Sequence, residues 1–224
     1  MSRLSKSCLS KSYLSGAAAR VGLTLGTAIG LASIALVAPT AEAATPTPPP
    51  TTIAAILAPY AGGFDTNNDD FTIPTHVLLQ FHDLVVAATK PGNTTVFLPT
   101  DYAFRALIRN LTGNIVVPED RLFAAVMRLG KARLGAVLRY HLVPGVRVSF
   151  GQLLHTNGFA LPTLEGHTIT VSAITVRTIS GSWRTVVLHD PVPGLTDPKV
   201  VNADIAASNG IIHVIDRVMF PTKP

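Results

Sequence analysis

Residues 95–107, TVFLPTDYAFRAL, decide the fold. The first part, together with Thr94, is a β-branched and aromatic run that predicts a short strand over residues 94–98. Pro99 ends this strand, and Thr100 or Asp101 then offers a side-chain oxygen that can cap a new helix. Helical spacing predicts that this helix buries a face made of Phe104, Leu107, Ile108 and Leu111. The segment therefore predicts a strand that leads directly into an amphipathic helix.

Helical periodicity continues on both sides of this segment. Upstream, one helix is predicted over residues 73–88 from the apolar stripe Ile73, Val77, Phe81, Leu84, Val85 and Ala88. Downstream, Pro118 and the two acidic residues after it favour a helix start, because proline fixes a helical φ and negative charge suits a helix N-terminus. A further stripe predicts a helix that ends before the Pro-Gly pair at 144–145, and it consists of Leu134, Val137, Leu138 and His141.

The second half of the chain has the pattern of strands, at residues 168–176, 185–189, 200–206 and 211–216. Asn209 and Gly210, between the last two, both tolerate the positive φ of a two-residue type I′ turn. That turn would pair Ile205 with Val214 and point Asp204 to the opposite face. Helices followed by strands predict an α+β domain, with N-terminal helices packed beside a C-terminal antiparallel β-sheet or sandwich.

The N-terminus has the pattern of an export signal. A cationic, Ser-rich start leads into the apolar residues 21–37, and Ala41-Glu42-Ala43 fits a small-x-small cleavage site. We therefore expect a signal peptide (1–43), a Pro/Thr-rich leader (44–52) and one domain (53–221), with the exported chain beginning near Ala44. Cleavage would remove the single cysteine, Cys8, and leave no membrane span. The alternative is that the apolar segment stays as a membrane anchor.

The composition indicates a globular domain of nearly balanced charge. The 224 residues are 47% hydrophobic and 14% charged, with a net charge of +5. Residues 1–43 contain four basic residues and one acidic residue, so the remaining chain carries a net charge of about +2. The chain has no basic run with interleaved aromatic residues, and this argues against a nucleic-acid partner.

Three segments together resemble the fasciclin domain family. They are residues 95–107, residues 138–145 (LRYHLVPG) and residues 200–221 (VVNADIAASNGIIHVIDRVMFP). They stand in the family's order, and the likeness extends over about residues 52–221. The resemblance implies strands packed beside helices, and a role in cell adhesion, matrix contact or surface display without known catalysis.

The resemblance also implies partner-binding residues. Tyr140, His141, Asp204 and Ile205 match positions that are linked to integrin contact in animal members of the family. The residue pattern favours a structural role for two of them. His141 falls on the buried helical stripe, where an imidazole would bond to the backbone, and Ile205 falls on the apolar face of its strand.

No residue pattern in the sequence points to catalysis or to a cofactor. The chain has no G-x-S-x-G, H-E-x-x-H or S-x-x-K motif, and no two of its seven histidines have i, i+4 spacing. Residues 65–70, DTNNDD, offer oxygen ligands, but Asp70 and His76 stand where an EF-hand requires glycine and glutamate. We therefore expect a polar loop, no metal, no cofactor and no enzymatic activity.

These observations predict a secreted, monomeric binding module. Its expected partner is an extracellular protein or polysaccharide at the cell surface, in the cell wall or in the matrix. The low charge fraction and the abundant Ala, Val, Leu and Ile leave an alternative open, a carrier of an apolar ligand such as a pigment or a lipid. A hydrophobic core explains the same composition. Colour or co-purified lipid would separate the two functions.

Overall fold

The computed structural model describes residues 51–116, 118–179 and 181–222. Its helices are α1 (Ile53–Leu57), α2 (Thr72–Leu78), α3 (His82–Thr89), α4 (Asp101–Thr112), α5 (Glu119–Met127), α6 (Lys131–Tyr140) and α7 (Phe150–His155), and a 3₁₀ turn covers Ala58–Ala61. Its strands are β1 (Thr94–Pro99), β2 (Leu142–Pro144), β3 (Phe159–Pro162), β4 (Thr168–Thr178), β5 (Gly181–His189), β6 (Val200–Ala207) and β7 (Gly210–Ile215). The predicted signal peptide, and the leader up to residue 50, lie outside these residues and stay predictions.

The strands form two sheets. One has four strands in the order β2-β1-β7-β6, and the other has three in the order β3-β4-β5. Strand β1 runs parallel to β7, from the Thr94–Gly210 pair to the Pro99–Ile215 pair, and the other neighbouring strands are antiparallel. The α+β class is confirmed. The four-stranded sheet is mixed, because β1 pairs antiparallel with β2 and parallel with β7.

Buried residues form three clusters around the sheets and helices. The largest joins helices α2 to α6 with Val192, Val218 and Phe220. A second contains Phe97, which is fully buried, and draws on both sheets and α7. A third packs α1 against β1, β6 and β7. The predicted burial of Leu111 is wrong, because it lies in the last turn of α4, where residues 109–113 are all exposed.

The single helix predicted over residues 73–88 is two helices. The chain turns at residues 79–81, where Phe81 has φ −124° and ψ 89° and leaves the helical region. Ile73, Val77, Phe81 and Leu84 are nevertheless all buried. Phe81 packs so tightly against α6 that a Cβ on Gly135 would lie 2.9 Å from its ring. The apolar spacing therefore identified the buried face, while the position of the break depends on packing against another helix.

Four helices and strands were not predicted from the sequence, namely α1, β2, α7 and β3. Helix α7 had a usable signal, because Ser149 and Gln152 form a capping box in which each side chain bonds to the other's backbone N–H. Strands β2 and β3 have three and four residues, too few for an alternating pattern to stand out. They form because β1 and β4 supply their hydrogen-bonding partners.

The predicted cap of α4 is confirmed for one of its two candidates. The Thr100 hydroxyl oxygen accepts a hydrogen bond from the Ala103 N–H at 3.3 Å. Asp101 is the first residue of the helix, and its Oδ1 accepts from the Ile73 N–H at 2.8 Å instead. The two adjacent residues therefore bond to different helices.

We predict that Thr100→Ala lowers the free energy of unfolding by about 1 kcal/mol, because the Ala103 N–H loses its acceptor. Thr100→Ser keeps the hydroxyl and should stay within a few tenths of a kcal/mol of wild type. Urea unfolding at neutral pH measures both. Equal midpoints for the Ala and Ser variants would show that the cap does not contribute.

Candidate partner-binding site

The β6–β7 hairpin carries the predicted Asp-Ile pair, but its turn differs from the prediction. The turn residues are Ser208 and Asn209, because Ala207 pairs with Gly210 and Ile205 pairs with Ile212. Gly210 has no positive φ. A Cβ there would overlap the carbonyl oxygen of Thr94, so glycine is required for the close approach of β1. Moving the turn by one residue changes the predicted partner of Ile205 by two, from Val214 to Ile212, and these two partners lie on the same face of β7.

A β-bulge re-aims the backbone at Asp204. Residues 203 and 204 lie between the paired Asn202 and Ile205, opposite His213 alone, so β6 has one residue more than β7 here. Asp204 has φ 59°, in the left-handed region. Its Oδ1 accepts from the Phe150 N–H at 2.8 Å, and its own N–H donates to His213 Nδ1 at 3.3 Å. Asp204 therefore links the bulge to the start of α7 and to β7.

The structure places the four predicted partner-binding residues in different environments. Asp204 is exposed, and Ile205 is half-buried against the cluster that contains Ala207 and Ile212. Tyr140 is fully buried, and its hydroxyl donates to the Thr168 carbonyl at 2.9 Å. These residues do not form one exposed surface. A partner contact at Tyr140 stays a prediction, and it would require the core to open.

His141 is also buried, with both ring nitrogens engaged. Its Nδ1 lies 2.7 Å from the Val137 carbonyl oxygen, and its Nε2 accepts from the Met219 N–H at 3.1 Å. These bonds require the neutral ring with the proton on Nδ1. Burial lowers the pKa of His141 to about 4. The predicted burial of His141 and its bonding to the backbone are confirmed, and its exposed fraction of 4% leaves little surface for a partner.

An open groove of about 540 Å³ lies between β5 and β6, the outer strands of the two sheets. The two strands touch at the Val187–Lys199 bridge, and the Thr185 hydroxyl bonds to the Val200 carbonyl. Two apolar side chains in this groove remain exposed, Trp183 at 54% and Val201 at 58%.

Polar and charged groups surround these apolar side chains. The groove is also lined by the side chains of Arg184, Lys199, Asn202 and Asp216. Phe150 lines it too, and the Phe150 N–H donates a hydrogen bond to Asp204. The Arg184 guanidinium donates to the Leu154 carbonyl at 2.6 Å, so α7 supports one wall. Apolar side chains within a polar rim are typical of a binding surface. Sequence analysis missed this groove, although the single tryptophan of the chain, set in the polar run GSWRT, was a signal.

No helix within residues 51–222, leaving aside positions 117 and 180, combines the length and the apolar character needed to cross a membrane.

Comparisons with known proteins agree with this architecture. The family model of the fasciclin domain matches residues 70–221. Protein sll1483 of Synechocystis sp. is 32% identical over 139 residues, which are 62% of this chain and 61% of that protein. Human periostin is 26% identical over 144 residues, which are 64% of this chain and 14% of periostin. This chain therefore spans under two thirds of the length of these relatives.

A solved structure with a similar fold is the FAS1 domain pair from the insect cell adhesion molecule fasciclin I. The similarity has a TM-score of 0.52 at 18% sequence identity, and it covers 77% of this chain and 51% of that chain. At this level of identity the likeness establishes the fold.

We predict that His141 makes the protein less stable as the pH falls. Its folded pKa of about 4 is below the ordinary 6.5, so the unfolded chain binds the extra proton between these values and stability is lost as pH falls through this window. The loss attributable to His141 is about 3 kcal/mol when complete. Urea midpoints of wild type and His141→Gln, measured from pH 7 to pH 4, should therefore converge as the pH falls.

The comparison with a variant is needed because other groups titrate in the same window. Burial also lowers the pKa of His213, which adds to the loss, and burial raises the pKa values of Asp101 and Asp190, which act in the opposite direction. These groups are common to both proteins. Parallel pH profiles for wild type and His141→Gln would contradict the prediction.

Proposed function

Because this chain belongs to the fasciclin domain family, we propose that it is an exported, non-enzymatic module that binds a macromolecular partner at or outside the cell surface. We propose further that the groove between β5 and β6 is its binding surface. The family assignment supports the first statement, since fasciclin I is a cell adhesion molecule with the same fold. The second is supported by the exposed Trp183.

Trp183 is the observation that carries the proposal. About half of this large apolar side chain is exposed, next to the exposed Val201 and the charged Arg184 and Lys199. Tryptophan and arginine are the residues that most often dominate binding energy when a partner covers them. An indole face can pack on a sugar ring or enter a pocket on a protein, so both predicted partner classes suit this groove.

The partner-binding roles implied for Asp204 and Ile205 belong to the same proposal. Asp204 bonds to the N–H of Phe150, which lines the groove, so it lies beside this surface. Asp204 would contact the partner at the rim, and the half-buried Ile205 would hold the strand in place. For Tyr140 and His141 we propose an indirect role, because both are engaged with backbone groups of the interior.

We predict that Trp183→Ala lowers partner binding at least about tenfold, since truncating a central tryptophan commonly costs 2 kcal/mol or more. Immobilised protein is incubated with a surface extract of the source organism, and the retained protein and polysaccharide are quantified over a range of dilutions. Protease or periodate treatment of the extract shows which class of partner is bound.

Phe159→Ala is the matched control. Phe159 is 55% exposed, close to the 54% of Trp183, and lies on β3 at the opposite edge of the same sheet. The control should bind as wild type does. Equal retention by all three proteins, or an equal loss in both variants, would rule out the groove as the binding surface.

A cavity supports the carriage of an apolar ligand as a second candidate function. It has a volume of about 180 Å³ and its lining is almost wholly apolar, with side chains that include Ile53, Leu57, Leu84, Val96 and Leu142. An apolar cavity of about 150 Å³ can hold benzene, so this one suits a ring or the end of an acyl chain and is too small for a whole pigment.

The carrier function predicts bound apolar material. Organic extracts of the exported protein should contain one apolar compound per chain by mass spectrometry, and Ala88→Phe, which fills the cavity, should lose it. The exposed Ala132→Phe is the control and should retain it. An extract without such a compound would leave adhesion as the function.

A further inference from the structure

The fold brings four carboxyl groups together at one end of the helical layer. Asp65 and Asp70 lie in the loop before α2, and Asp101 and Glu119 are the first residues of α4 and α5. Oxygen atoms of Asp65, Asp70 and Glu119 all lie within 4.8 Å of one another. Ligand oxygens 2.3–2.6 Å from a central Ca²⁺ have separations of this size. We call Asp65, Asp70 and Glu119 the carboxylate cluster.

Two members of the carboxylate cluster are buried, and one has an oxygen without a partner. The exposed fractions of Asp70 and Glu119 are 8% and 1%. Glu119 Oε2 accepts from the Asp65 N–H at 2.8 Å, whereas Glu119 Oε1 is buried and has no hydrogen-bond partner among the described residues. A buried carboxylate oxygen without a donor is costly, so this oxygen requires a positively charged or donating group that the described residues do not supply.

Asp101 provides a second buried oxygen without a partner at the same end of the helical layer. It is fully buried, and its Oδ2 has no hydrogen-bond partner among the described residues. The surroundings of the carboxylate cluster therefore leave two buried carboxyl oxygens without a donor.

We propose that the carboxylate cluster of Asp65, Asp70 and Glu119 binds one divalent cation, Ca²⁺. All three ligands are hard carboxylate oxygens, which suit Ca²⁺ or Mg²⁺ and not the metals that prefer nitrogen and sulfur. Asp65 is exposed, so water can complete the coordination on that side. Ca²⁺ accepts such an irregular shell, whereas Mg²⁺ requires near-ideal octahedral geometry.

The site differs from the EF-hand loop considered in the sequence. An EF-hand would draw on Asn67 and Asp69, and both are exposed and lie outside the carboxylate cluster. The third ligand, Glu119, comes instead from α5, 54 residues beyond Asp65. The bound ion would join the loop to α5 and stabilise the folded domain. Extracellular modules commonly bind Ca²⁺ with dissociation constants of about 10⁻⁴–10⁻³ M, the range we expect here.

Thermal unfolding of the EDTA-treated protein tests the proposal. Millimolar CaCl₂ should raise the midpoint by about 5 °C, and MgCl₂ at the same concentration should raise it less. Calorimetric titration with CaCl₂ should give one ion per chain. Asp65→Asn and Glu119→Gln remove ligand charges with little change of shape and should abolish the Ca²⁺ shift.

Asp69→Asn is the matched control, because Asp69 is exposed in the same loop but lies outside the carboxylate cluster. This variant should keep the full Ca²⁺ shift and the stoichiometry of one. Asp65→Asn keeps the test decisive if Glu119→Gln fails to fold, because Asp65 is on the surface. A wild-type midpoint that does not respond to Ca²⁺, or a shift that persists in Asp65→Asn, would overturn the proposal. A response of equal size to Mg²⁺ would also contradict it.

Discussion

The side chain of Asn209 joins segments from both ends of the domain, and much of the fold depends on it. Its Oδ1 accepts from the Ile53 N–H at 2.9 Å, and its Nδ2 donates to the carbonyls of Ala88 and Lys90 at 2.8 and 3.1 Å. Its own carbonyl accepts from the Thr94 N–H. The residue is 3% exposed. These bonds join residues that are more than 100 positions apart in the sequence. They attach α1, the end of α3 and the start of β1 to the β6–β7 turn. The loss of any of them would leave a polar group unpaired in the interior.

The groove and the carboxylate cluster, for which we propose binding functions, lie in different parts of the fold. The four-stranded sheet ends on β6, and the three-stranded sheet ends on β5. The groove with Trp183 lies between these two outer strands. The bulge at Asp204 ties one end of this groove to α7. The carboxylate cluster depends on a different part of the fold, where the starts of α4 and α5 meet the loop before α2. The proposed cation would thus stabilise the helical layer, while the proposed partner contacts the strands.

Local sequence patterns predicted the features that involve neighbours in the chain. Phe104 and His141 are buried as the helical spacing predicted, and the Thr100 hydroxyl caps its helix by accepting from the N–H three residues further on. The patterns failed where a distant residue decides the outcome. Phe81 ends a helical turn because it packs on Gly135, and Gly210 is required by the carbonyl of Thr94 rather than by the turn.

The sequence by itself therefore determined the α+β class, most buried positions, the cap of α4 and the likeness to the fasciclin family. These depend on side-chain periodicity, local hydrogen bonds and short motifs, which act over a few residues. The tertiary structure alone decided the parallel pairing of β1, the bulge at Asp204 and the groove around Trp183. It also decided the meeting of Asp65, Asp70 and Glu119. Each of these features joins residues that are far apart in the chain. A local sequence pattern does not show which distant residues the fold brings together.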